Sequence, residues 1–167
     1  MRKLKCAIVF GVALLAGYNN AAGHSPTNGD EQAIKEAFEA FQAAIKAKDA
    51  DKLWSLLDTD SRDDAERAAK AVKAAYAKAS AEQKADMEKR LGLPGDELAK
   101  LTGAGFLKTK RFLGKYDEVP GSKIEKITIQ GQSAKVNYVE EDGDKETMKL
   151  VHHDGKWLLS VPMPKGK

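Results

Sequence analysis

Cysteine is almost missing from this 167-residue chain, with Cys6 the only one, and aromatic side chains make up just 7% of it. One thiol excludes an internal disulfide framework and a multi-thiolate metal site, so stability has to come from packing. Beyond the first two dozen positions no apolar run approaches the ~18 residues that would suggest a membrane-spanning helix. Five prolines and 14 glycines in a chain 42% hydrophobic and 32% charged exclude collagen-like and disordered classes. What remains is one globular domain of ordinary size with a real core.

The formal charge of +3 belongs to the N-terminus. Arg2, Lys3 and Lys5 precede the unbroken apolar run Ala7 to Gly17, and small residues Ala21 and Gly23 stand three and one positions before His24. That order reads as a secretory signal peptide over residues 1–23, with a buried N-terminal helix as the competing reading. Removing it removes Cys6 and leaves 25 basic against 25 acidic residues. The charge is then no argument for nucleic-acid binding. Leu14-Leu15-Ala16-Gly17 resembles the stretch before a lipidated cysteine, but Tyr18 follows and offers no thiol. An exported protein, periplasmic or secreted, with no transmembrane segment in the mature chain is the expectation.

Residues 24–29 (HSPTNG) read as a flexible linker. A helix is predicted from about Glu31 to Lys48, capped by Thr27 with Asp30 or by Asp30 alone, with Ile34, Phe38, Phe41 and Ile45 as one apolar stripe. Asp49 opens a second, short helix that buries Leu53, Trp54, Leu56 and Leu57. Residues 61–103 form an Ala/Lys/Glu-rich helical insert of three helices, the first from Ser61 to about Ala79, the second capped by Ser80 with Gln83 and ended by Gly92, the third capped by Asp96. Its alanine face suggests a lid or appendage. Residues 102–121 carry four glycines and one proline and read as either a strand or a loop.

The last 44 residues alternate apolar and polar at period two in four runs: Ile127, Ile129; Ala134, Val136, Tyr138; Met148, Leu150; Trp157, Leu159, Val161. Gly131-Gln132, Glu141-Asp142-Gly143 and Asp154-Gly155 separate them, the signature of an antiparallel meander. A one-residue slip would move a whole apolar row to the other face, so parity fixes the register. Two-residue turns at Gly131-Gln132 and Asp154-Gly155 set Ile129 against Ala134, Ile127 against Val136, Glu125 against Tyr138, Leu150 against Leu159 and His152 against Trp157. The middle hairpin needs a three-residue loop with Gly143 left-handed, which sets Val136 against Met148. The fold class expected is α+β, with N-terminal amphipathic helices packed on a curved antiparallel sheet within a single domain, residues 30–167.

AFEAFQAAIKAKDADKLWSLL near the start and GDKETMKLVHHDGKWLLSVP at the end, about a quarter of the chain, resemble the small secreted or lipoprotein branch of the nuclear-transport-factor-2-like superfamily. That resemblance implies a cone-shaped fold whose apolar sheet face lines a cavity. The family holds isomerases, dehydratases, small-ligand binders and protein-interaction modules, so it implies fold more than function.

On that face Glu125, Tyr138 and Glu146 form one row. Two carboxylates flanking a phenol beside an apolar cleft suit general acid/base work, with the solvated end of a sheet as the plainer reading. His152 beside Trp157 reads as a base, a ligand contact, or a packed sheet residue. His153 points to the other face, and adjacent strand histidines diverge, so they hold no metal together. Asp58, Asp60, Asp63 and Asp64 lack the glycine and distal glutamate of a calcium loop and read as helix caps. Lys108, Lys110, Arg111 and Lys115 with Phe106, Phe112 and Tyr116 interleaved suit a nucleic acid or an anionic membrane surface, the first disfavoured by the zero net charge, with a solvated basic face as the plainer reading. The functional expectation is a non-enzymatic binding module without cofactor or metal, holding a small apolar or aromatic ligand at Tyr138, Met148, Leu150, His152 and Trp157, or an envelope protein partner. The alternatives are a cofactor-free acid/base enzyme using Glu125, Tyr138 or His152, and a structural partner docking through the Lys/Ala-rich helices.

Overall fold

The structure, a computed structural model, describes residues 27–164. The expected signal peptide, and the first three residues of the expected linker, lie outside the described residues. Helix α1 runs Asn28–Ala47, so the chain is already helical at two positions assigned to the linker. Asp30 explains the early start. The Thr27 amide and hydroxyl both donate to its Oδ2, at 2.7 and 2.9 Å, closing the first turn. Ile34, Phe38 and Phe41 are wholly buried and Ile45 nearly so, each worth about 2 kcal/mol of apolar burial.

Asp49 caps α2 (Ala50–Leu56) by accepting from the Lys52 amide at 2.9 Å, and Asp58 caps α3 (Thr59–Lys78) by accepting from the Ser61 amide at 2.8 Å. A capping role thus accounts for one carboxylate of the acidic run. Leu53 and Leu57 are buried, whereas Trp54 and Leu56 are half-buried. The first half of α3 is core, with Ala65 and Ala69 fully buried, because alanine lets helices approach closely. Only its second half suits the expected appendage. There Val72 and Tyr76 are half-buried against α4 (Ala81–Leu91), and the Tyr76 hydroxyl donates to Glu88 at 2.6 Å. Ser80 and Gln83 box the start of α4, and Gly92 ends it at φ +70°. Pro94, not Asp96, occupies the cap position of α5 (Gly95–Ala99), and Asp96 falls inside its first turn.

Residues 102–121 are neither strand nor open loop. They hold two single-turn helices, α6 (Gly103–Phe106) and α7 (Lys110–Leu113), and a 3-10 turn at Val119–Gly121. The Thr102 and Thr109 hydroxyls accept from the Gly105 and Phe112 amides and so cap the two turns. Phe106, Leu107, Phe112 and Val119 are almost entirely buried, so the segment is core in spite of its glycines. Gly103 is required by proximity: its amide donates to Glu66, and an added Cβ would stand 2.9 Å from the Trp54 ring. The aromatics that interleave the lysines here are therefore packing residues.

Four strands follow as an antiparallel sheet in sequence order: β1 (Lys123–Gln130), β2 (Ser133–Val139), β3 (Lys145–His153) and β4 (Lys156–Ser160). Ile129 faces Ala134, Ile127 faces Val136, Val136 faces Met148, Leu150 faces Leu159 and His152 faces Trp157, as parity required. Gly131, Asp154 and Gly155 take positive φ in the two tight turns, and Gly143 stands at φ +96° in the wider one. In that turn the Glu140 amide donates to the Asp144 carbonyl, enclosing three residues. One expected pair fails. Ile124, not Glu125, faces Tyr138, because a β-bulge at Glu125 adds a residue to β1.

The apolar face of the sheet packs on α1, with the Phe38 and Tyr138 rings 5.1 Å apart. Just after α2 the chain joins the β4 edge through a parallel bridge from Leu57 to Leu159, and the Asp58 amide donates to the Leu159 carbonyl at 2.9 Å. Helices packed on an antiparallel sheet make this an α+β fold.

Candidate functional site

The inner face of the sheet has two ends with different characters. At one end His152 lies 5.1 Å, ring to ring, from Trp157, whose indole N–H donates to Asp30 Oδ1 at 2.9 Å. Asp30 therefore ties the entry of α1 to β4. Trp157 and Leu150 are buried under α1, and His152 is half-buried at the rim. Tyr138 and Glu146 sit six residues back along β3, about 20 Å away at strand rise. No single small ligand can touch both ends.

At the Tyr138 end the sheet opens into a cleft of about 570 Å³ between β2, β3, the start of α3 and the segment after α7. Its apolar wall is Tyr116, Tyr138, Met148, Val161 and Pro162. Asp60, Asp64, Glu140 and Glu146 line it against Lys115 and Lys149, an excess of negative charge. Asp64 is engaged by Arg67. Lys115 donates to the Pro162 carbonyl at 2.8 Å, and burial pulls its pKa down.

The two phenols differ in how they are satisfied. Tyr116 packs with tilted rings on Phe112 at 5.1 Å and meets Phe41 edge-on at 5.7 Å, and its hydroxyl donates to the Pro162 carbonyl at 2.7 Å. Tyr138 is only 4% exposed, yet its hydroxyl makes no hydrogen bond to any described residue. A buried polar group of this kind carries a desolvation penalty until a partner arrives. Burial, then the nearby Glu140 and Glu146 charges, push the Tyr138 pKa up to about 12, so the group at neutral pH is an O–H donor. Burial raises Tyr116 as well.

Glu140 is the residue that sequence reasoning missed. It follows Tyr138 by two positions and so continues the inward row, a period-two signal that was present. Burial, then a hydrogen bond to Glu118 and the charges of Glu118, Glu146 and Asp142, push its carboxyl up to about 7. Carboxylate oxygens of Glu118, Glu140 and Asp142 lie within 4.8 Å of one another, the one such cluster among the described residues with the spacing to share a cation. A proton on Glu140 relieves that crowding.

Of the acid/base candidates, Tyr138 stands in the cleft with Glu146, and Met148 supplies its floor. Glu125 does not join them. The bulge turns it to the opposite face, where its carboxylate pairs with Lys145 at 2.8 Å in solvent. A second hollow of about 610 Å³ lies between α3, α4 and Pro164, walled by Val72, Met87 and Leu91, with Arg90 and Arg111 at its edge. Compared with protein families, with curated proteins and with solved structures, the chain matches none.

Proposed function

We propose that this protein is an exported, non-enzymatic binding module that holds a small ligand in the cleft at the Tyr138 end of its sheet. The observation that carries the reading is the Tyr138 hydroxyl, buried, protonated and without a hydrogen-bond partner among the described residues, on the apolar wall of an open cleft. Such a donor suits a ligand acceptor atom, and the carboxylates around it favour a protonated amine on an apolar or aromatic body. The likeness of both chain ends to the nuclear-transport-factor-2-like superfamily agrees with a ligand-holding sheet, although the cleft lies at one end of the face rather than beneath α1.

Native mass spectrometry of protein purified from an exporting host, before and after denaturation, tests it. A small basic molecule released from the parent protein, and missing from Tyr138→Phe, is the expected result. An apo mass that no aromatic or alkyl amine shifts would overturn it. One observation favours a second reading, acid/base catalysis: the Glu140 carboxyl is poised at about 7 beside a neutral phenol. Turnover abolished by Glu140→Gln with ligand still bound would establish that reading over simple binding.

A further inference from the structure

The outward face of the sheet is as basic as the inner one is apolar. Alternation along the four strands places Lys123, Lys126, Lys135, Lys145, Lys149 and Lys156 on it, all exposed. The strands give that face a single carboxylate, Glu125 at the bulge, engaged by Lys145. Residues 27–164 as a whole carry 23 basic and 25 acidic side chains, so this face runs against the balance of the chain.

Lys135 and Lys149 are directly opposite each other on β2 and β3. Like charges in that position oppose sheet formation. Lysines on the edge strands β1 and β4 are explained as guards against edge pairing, but β2 and β3 are the two inner strands and have no free edge. Among the described residues neither lysine has a carboxylate within ion-pair distance. Thr128 and Ser160 continue their row to the two edges, and together with Ser133 and Gln130 they line a shallow hollow of about 240 Å³. Two ammonium groups ringed by hydroxyls are chemistry for a phosphate oxygen. Val139, Val151 and Leu158, half-buried on the same face, give it low apolar relief between the charges.

We propose that this face docks the protein on an anionic phospholipid bilayer, with the Lys135–Lys149 pair seated on a headgroup phosphate. The lysines are spread over all four strands rather than aligned along a groove, which matches a planar array of charges better than a single polyanionic strand. An exported protein would meet such a surface as it leaves the membrane. The docking face is the side of the sheet turned away from α1; its Lys149 and Ser160 also reach the edge of the cleft, whereas Lys135 does not.

Co-sedimentation of the export-purified chain with phosphatidylglycerol/phosphatidylcholine vesicles, against pure phosphatidylcholine, tests it. Binding to the anionic vesicles alone is expected, weakening as ionic strength rises toward about 0.15 M, where the Debye length falls to ~8 Å. Each lysine near an anionic surface is worth about a fivefold factor, so Lys135→Gln with Lys149→Gln lowers the partition coefficient about thirtyfold. That double variant melts no lower than the parent, because it relieves a like-charge pair, whereas Lys70→Gln with Lys73→Gln on α3 leaves partition unchanged. Equal binding to neutral vesicles, or partition unmoved by the β2/β3 variant, overturns the proposal. Retention on a sulfated polysaccharide without vesicle binding overturns it too, and would assign the face to a soluble polyanion.

Discussion

Replacing Tyr138 by phenylalanine is expected to stabilise the ligand-free protein, the reverse of the usual effect of trimming a buried residue. The ring remains, with its packing on Phe38 at 5.1 Å, and only the hydroxyl leaves. Since that hydroxyl bonds no described residue, its removal breaks no hydrogen bond among them and ends a desolvation penalty. An unsatisfied buried polar group costs about 1–3 kcal/mol, and water reaching the cleft recovers part of it, so the expected gain is about 0.5–1 kcal/mol. Tyr116→Phe is the matched control. Its hydroxyl donates to the Pro162 carbonyl, an acceptor that keeps its bond from Lys115, so the loss is one ordinary hydrogen bond, about 1 kcal/mol. Urea unfolding with an unchanged m-value reads both, and heat should separate the two melting points by roughly 6 °C at about 4 °C per kcal/mol. If Tyr138→Phe falls as far as Tyr116→Phe, the Tyr138 hydroxyl has a partner in the ligand-free protein, and the main support for a ligand in the cleft is gone.

Glu140 predicts a pH dependence of definite sign. Folded, it keeps its proton up to about pH 7, whereas unfolded it releases it near the ordinary carboxyl value of 4.5, so the unfolded state binds fewer protons between those limits and stability falls as pH rises through them. Glu140→Gln should flatten that slope and raise stability at alkaline pH, checked by melts across the window. Asp30→Ala should cost about 3 kcal/mol, about 1 for the cap and about 2 for the charged acceptor of the Trp157 indole, with a shift in tryptophan emission as its signature. Glu125→Gln removes one exposed ion pair and should leave stability within about 0.5 kcal/mol and any activity of the cleft intact; a lost activity would return Glu125 to the site.

Strong local patterns were legible. The Ile34 stripe, the Ser80–Gln83 box and the Asp154-Gly155 turn each need only a few adjacent residues, and parity then fixed the register of three hairpins. Glu125 was misplaced by extending the Ile127–Ile129 alternation backward past its limit. The sign was there, since Ile124 and Ile127 are three apart and both reach the core side, which period two forbids without an inserted residue. Residues 102–121 misled by composition: glycine spoke for a loop, while Thr102, Thr109, Phe106 and Phe112 carried the caps and buried anchors of two short turns.

The cleft was legible only on its sheet side, in Tyr138, Glu146 and Met148; its other wall joins Tyr116 to Tyr138, which no local rule relates. Nor does a sequence say that a hydroxyl is unpaired; that needs the carbonyls around it, and Pro162 is near Tyr116 only after folding. The basic face is a different case. Its lysines follow from the same alternation that fixed the apolar row, but a mature chain with 25 charges of each sign averages them away. Net charge was the wrong quantity for a sheet, whose two faces meet different surroundings. Charge counted separately on each face marks Lys135 and Lys149 as a pair that weakens the sheet unless something outside the chain answers it.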